Sequence, residues 1–159
     1  MPPIPNSTIR CVPFTIEIAD EQSAHAFDHA RLKRAVRGVL QAAGIHSAEI
    51  SIAIVDDGGH LIYFQRIDGT QTGSVLVSQR KAQTAIGFKR PSKVFEEGVA
   101  GGRNALLGLP GAVPLEGGLP LSVDGQMIGA IGVSGVTAQQ DGMIAQAGID
   151  ALPEILKGK

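Results

Sequence analysis

Tryptophan is missing from this chain, and aromatic residues of every kind make up only 4% of its 159 positions. Bulky rings are therefore not what fills its interior. There is a single cysteine, Cys11, so no internal disulfide framework holds the fold. No nucleophile signature surrounds that thiol. No stretch reaches the roughly 18 consecutive apolar residues of a membrane-spanning helix. The opening MPPIPNSTIR lacks the charged start and apolar run of an ordinary secretory signal, so the expectation is a cytoplasmic protein. An excess of charge is missing too: 14 Lys/Arg against 15 Asp/Glu leave a net charge of −1. That balance gives no general attraction for nucleic acid or for an anionic membrane, and neither is expected as a partner.

What is abundant is glycine, 21 residues, within a chain that is 43% hydrophobic. The apolar share suffices for one sizeable core. So many glycines suit tight turns and backbone-lined pockets. Residues 1–19, with four prolines, read as an N-terminal arm with an extended piece at Phe14–Ile18; residues 20–159 read as one domain.

From Glu21 to Ala43 the apolar period is helical, and Gly44 closes the helix. Ile50–Asp56 and Leu61–Arg66 flank Asp57-Gly58-Gly59, a hairpin signal. Thr72 to Phe88 reads as a second helix stopped by Pro91, with one further turn at Val94–Glu97. Between Gly98 and Gly118 lie seven glycines and two prolines, which predicts an irregular loop. Leu119–Val123 and Gln126–Val133, joined by Asp124-Gly125, form a second hairpin. Thr137 and Gln140 form a capping box for a last helix to about Leu156, ended or kinked by Pro153. Hairpins imply an antiparallel sheet, so the class is α+β, with helices covering the sheet.

Chemistry concentrates on the helices. At about 100° per residue, Val75, Ala82 and Ile86 share one apolar face of the middle helix, while Val77, Lys81, Thr84 and Phe88 share roughly the opposite one. Lys81 is then either a stem snorkelling past apolar neighbours or a fixed cation facing an anionic ligand. Asp141 falls on the buried stripe of the last helix, in its first turn. It is either an acid bonded to the free N–H groups there or a functional carboxylate. His25 and His29, four apart, could share a metal or pack against a neighbour. No third ligand with metal-site spacing lies nearby, so no metal site is assigned. Gly129-x-x-Gly132-x-x-Gly135 could offer backbone N–H groups to an anion but is not the dinucleotide fingerprint.

Taken together, Ser51-Ile-Ala-Ile-Val-Asp-Asp-Gly-Gly-His-Leu, Arg66-Ile-Asp-Gly, Lys81-Ala-Gln-Thr-Ala, Arg90-Pro-Ser, Glu116-Gly-Gly-Leu-Pro-Leu, Asp124-Gly, Gly129-Ala-Ile-Gly-Val-Ser-Gly and Gln140-Asp141 resemble the GlcG/HbpS-like family. That family is related to the C-terminal domain of PduO-type cobalamin enzymes. The match runs in order from about Ser51 to Leu152. The resemblance implies a profilin-like α/β/α sandwich around an antiparallel sheet of about five strands, and a homo-oligomer, dimer or larger. It also implies haem or a related tetrapyrrole as the ligand, with Ser92 at the position facing the metal. This chain has Gly142 where many relatives carry glutamate.

Three functions follow. As a small-molecule-binding protein, the chain would hold its ligand through Lys81, Arg90, Ser92, Glu116, Gly117, Gly118 and Asp141. As a small enzyme (an isomerase, dehalogenase or similar proton-transfer catalyst on a carboxylate-bearing catabolic metabolite), it would use Lys81, Glu116 and Asp141. As a scaffold, it would use the second helix face only to join subunits.

Overall fold

The computed structural model describes residues 49–123 and 125–157. The arm with Cys11 and Phe14–Ile18, and the first helix with His25 and His29, lie outside the described residues. The elements run β1 (Ser51–Asp56), β2 (Leu61–Arg66), α1 (Gly73–Gly87), α2 (Lys93–Ala100), a 3-10 turn (Asn104–Gly108), β3 (Gly118–Val123), β4 (Gln126–Ser134) and α3 (Ala138–Lys157).

Both hairpins form where turn chemistry places them. At the first, Gly59 takes a φ of +82°, a left-handed conformation that glycine adopts without strain. The Asp56 carboxylate accepts the His60 backbone N–H at 2.8 Å and braces the turn. The sheet order is β2-β1-β4-β3, antiparallel throughout. Four strands are present among the described residues, against an expectation of about five.

Alternation along the strands sends two kinds of side chain to the two faces. Ile52, Ile54, Leu121, Ile131 and Val133 meet Ile144 and Ala145 of α3 in the larger core. Val55 and Ala130 meet Ala82, Ala85 and Ile86 of α1 in a smaller one. Among the described residues, α1 on one face and α3 on the other make the α/β/α sandwich that the family resemblance implies.

The α1 face is built for close approach. A Cβ at Gly132 would collide with the Ser78 carbonyl, and one at Gly118 with the Lys81 carbonyl. At these points of contact α1 presents small residues, and Ser74, Ser78, Ala82 and Ala85 are all buried. This corrects the helical-wheel expectation: Val75 is only half-buried, and Lys81 lies beside Ala82 on the sheet side instead of facing away from it. The turn at Val94–Glu97 extends to an eight-residue helix. Helix α3 starts with its capping box, Thr137 N–H to Gln140 Oε1 at 3.2 Å and Gln140 N–H to Thr137 Oγ1 at 3.3 Å. It runs through Pro153 to Lys157 and does not end there, although the proline leaves the Ile149 carbonyl without its ladder donor.

Candidate functional site

Six of the seven residues singled out from sequence gather where β3 begins. Lys81 reaches from α1 to Asp141 on α3, Nζ to Oδ2 at 2.7 Å, and each side chain is 2% exposed. The same ammonium donates to the Val133 carbonyl at 3.0 Å. The neighbouring ladder bond runs from the Val133 N–H to the Gly117 carbonyl, at 2.9 Å. Lys81 thus continues the hydrogen bonding of β4 just where strand β3 has not yet started, and ties the two helical layers together around that gap. Gly117 leaves room for the crossing: a Cβ there would sit 2.9 Å from both Lys81 Nζ and Asp141 Cβ.

The other Asp141 oxygen accepts the Val136 N–H at 3.3 Å. Burial pushes the Asp141 carboxyl above the usual carboxylate range. The Lys81 hydrogen bond and charge, and the N–H groups of Val136 and Gly135, offset part of that rise.

Ser92 is fully buried at the start of α2. Its hydroxyl donates to the Leu115 carbonyl at 2.6 Å and accepts the Gly118 N–H at 2.9 Å. Both bonds clamp the incoming loop to β3. Ser92→Ala would leave the buried Gly118 N–H without its acceptor and the Leu115 carbonyl without its donor. It is expected to lower stability by about 1–3 kcal/mol in urea denaturation; an unchanged midpoint would show that the clamp is slack.

Glu116 pairs with Lys93 at 3.2 Å and lies over Gly142, where a Cβ would strike its carboxylate. Arg90 takes no part in this cluster. It is exposed, and its Nε donates back to the Phe88 carbonyl at 3.0 Å.

A separate cleft of about 450 Å³ opens at the C-terminal end of α1. Its walls are the turn Asp57–Gly59, then Arg80, Gln83, Ile86, Gly87 and Phe88 of α1 and its end, and the loop pair Pro110–Gly111. None of the seven sequence-selected residues lines it. The loop wall is pinned by Thr84, whose Oγ1 accepts the Val113 N–H at 2.9 Å and donates to the Arg80 carbonyl at 2.7 Å. Phe88 is held edge-on against Phe95, with ring centroids 5.0 Å apart. Neither Arg80 nor Gln83 is among the residues that the sequence singles out. The signal that could have found them is their position on the outer side of α1, between two glycine-bearing turns.

The family model described as "Haem degrading protein HbpS-like" matches residues 27–150. The chain belongs to the HbpS-like family. Protein GlcG of Escherichia coli K12 is 43% identical over 108 residues, covering 65% of this chain and 81% of GlcG. The crystal structure of HbpS superposes with a TM-score of 0.71 at 30% identity, covering 82% of this chain and 92% of that one. PduOC, solved as a haem complex, superposes with a TM-score of 0.65 at 28% identity, covering 79% and 93% of the two chains. The buried cluster and the cleft of this HbpS-like chain both fall within the matched span. Among its described residues, no helix is long and apolar enough to cross a membrane. No group of three or more His, Cys, Asp or Glu among them is placed to hold a metal ion.

Proposed function

We propose that this HbpS-like chain is a small-molecule-binding protein whose ligand is haem or a related tetrapyrrole, held in the cleft at the end of α1. The observation that carries the reading is the make-up of that cleft. Its volume lies in the range of small-molecule sites. Ile86, Phe88 and Pro110 suit the apolar body of a macrocycle, and Arg80 and Gln83 suit its carboxylates. None of the lining residues is His, Cys, Met or Tyr, the common side-chain ligands of haem iron. The fit is therefore to the organic part of the group and not to its metal. Bound haem would itself supply one-electron and dioxygen chemistry; the chain's own residues hold and orient it.

The family description and the haem complex of PduOC support the same ligand class. At 2% exposure each, the Lys81 and Asp141 side chains are shut off from solvent. We assign them, with Ser92, Gly117 and Gly118, to the frame around β3 and not to proton transfer. The reading includes a cytoplasmic homo-oligomer, whose subunit contacts would cover Leu76, Leu107 and Met143, 59%, 62% and 67% exposed in the single chain.

Titration with hemin is expected to give a saturating Soret band with defined stoichiometry, and native mass spectrometry of the loaded protein to count haem and subunits together. A featureless, non-saturating titration removes the ligand reading; a monomer mass at every concentration removes the assembly.

A further inference from the structure

We infer that Arg80 is the specificity-determining residue of the cleft, and that it selects flat ligands bearing a carboxylate over their neutral counterparts. The inference rests on the cleft being the binding site and names what that site recognises.

Arg80 is exposed and, among the described residues, pairs with no carboxylate, although Asp57 lines the same cleft. A guanidinium carries five N–H donors in a rigid planar fork, matched to the two oxygens of a carboxylate. One donor is engaged within the protein: Arg80 Nη1 donates to Gln83 Oε1 at 3.2 Å. Gln83 is itself anchored, its Nε2 donating to the Gly59 carbonyl at 3.2 Å. The chain Gly59–Gln83–Arg80 therefore fixes one corner of the fork to the hairpin turn and leaves the remaining donors for a ligand. Such pre-orientation reduces the entropy lost on binding.

The cleft also has a direction. The C-terminal carbonyls of α1 give that end of the helix a partial negative charge, which disfavours an anion beside Gly87 and Phe88. Arg80 lies nearly two turns upstream. The carboxylate belongs at the Arg80 end, and the apolar body of the ligand belongs against Ile86, Phe88 and Pro110.

Two acid–neutral pairs test this by fluorescence titration: 2-naphthoate against 2-naphthamide, and protoporphyrin IX against its dimethyl ester. Wild-type protein is expected to prefer the acid in each pair. Arg80→Gln is expected to weaken acid binding about tenfold or more while leaving the neutral partner unchanged. Arg80→Lys, which keeps the charge and loses the fork, is expected to fall between. Arg80 is exposed, and circular dichroism checks that each variant folds. The inference stands if either acid shows this Arg80-dependent preference, and it is overturned if neither does. The tetrapyrrole reading is judged separately, by whether either porphyrin binds at all. Naphthoate selected through Arg80 with no porphyrin bound would keep the carboxylate and discard the macrocycle. Porphyrins bound alike, with naphthoate indifferent to Arg80, would do the reverse.

Discussion

Replacing Lys81 by methionine is expected to lower folding stability by about 3–5 kcal/mol, because it strands the Asp141 carboxylate without its cation in the interior. The Val133 carbonyl loses a donor in the same step. Against a typical total of about 5–15 kcal/mol, that loss is severe. Pairing Lys81→Met with Asp141→Leu removes both charges, and is expected to recover much of it. Urea denaturation of both singles and the double completes the cycle. Additive effects would show that the 2.7 Å contact carries no coupling.

The same experiment has a pH signature. Burial raises the Asp141 carboxyl above its unfolded value. The stability this linkage contributes is fully present below the ordinary carboxylate range, and is lost as pH rises through the raised folded value. Lys81→Met removes the neighbour that holds the carboxyl down, so its folded value moves further up. The stability gap between variant and wild type is then widest at neutral pH and narrows in mild acid, where the carboxyl binds a proton and ceases to be a buried charge. A gap that widens on acidification would contradict the burial argument.

Gly132→Val is expected to be equally damaging for a different reason. A side chain at Gly132 meets the Ser78 carbonyl and the Ala82 nitrogen, which are helix backbone atoms and cannot swing aside. Helix α1 would have to lift off β4, at about 3 kcal/mol or more. Gly73→Ala is the contrast. Nothing lies within 4 Å of a Cβ there, and the change is expected to stabilise by about 0.4–1 kcal/mol through the unfolded chain. Thermal melts of the two variants should therefore shift in opposite directions. Equal melting temperatures would remove the close-approach account of the α1 face.

The parts of the fold that were legible from sequence are those whose physics is local. Asp57-Gly58-Gly59 declares a hairpin through its own turn chemistry. Thr137 and Gln140 declare the start of α3 through bonds made within a single turn. The burial of Lys81 and Asp141 could be read from helical phase as well. Which layer Lys81 faces could not, because the answer depends on Gly118 and Gly132, glycines on strands remote in the chain that admit α1 to near contact. Ser92 is a similar case. Its partners are the backbone atoms of Leu115 and Gly118, which no residue name announces, and only the family resemblance drew attention to it. The cleft was hidden most completely. It is assembled from residues near positions 57, 83 and 110, segments that share no motif and meet only once the sheet has formed.

With the cleft as the proposed binding site, helix α1 has two unrelated duties divided by its circumference. Its inner side is a seam milled to the tolerance of bare backbone, with no slack for exchange. Arg80 and Gln83 stand on the outer side, so rewriting them leaves that seam untouched. An engineer could accordingly retune what the cleft accepts, residue by residue, and keep the architecture beneath it as a constant.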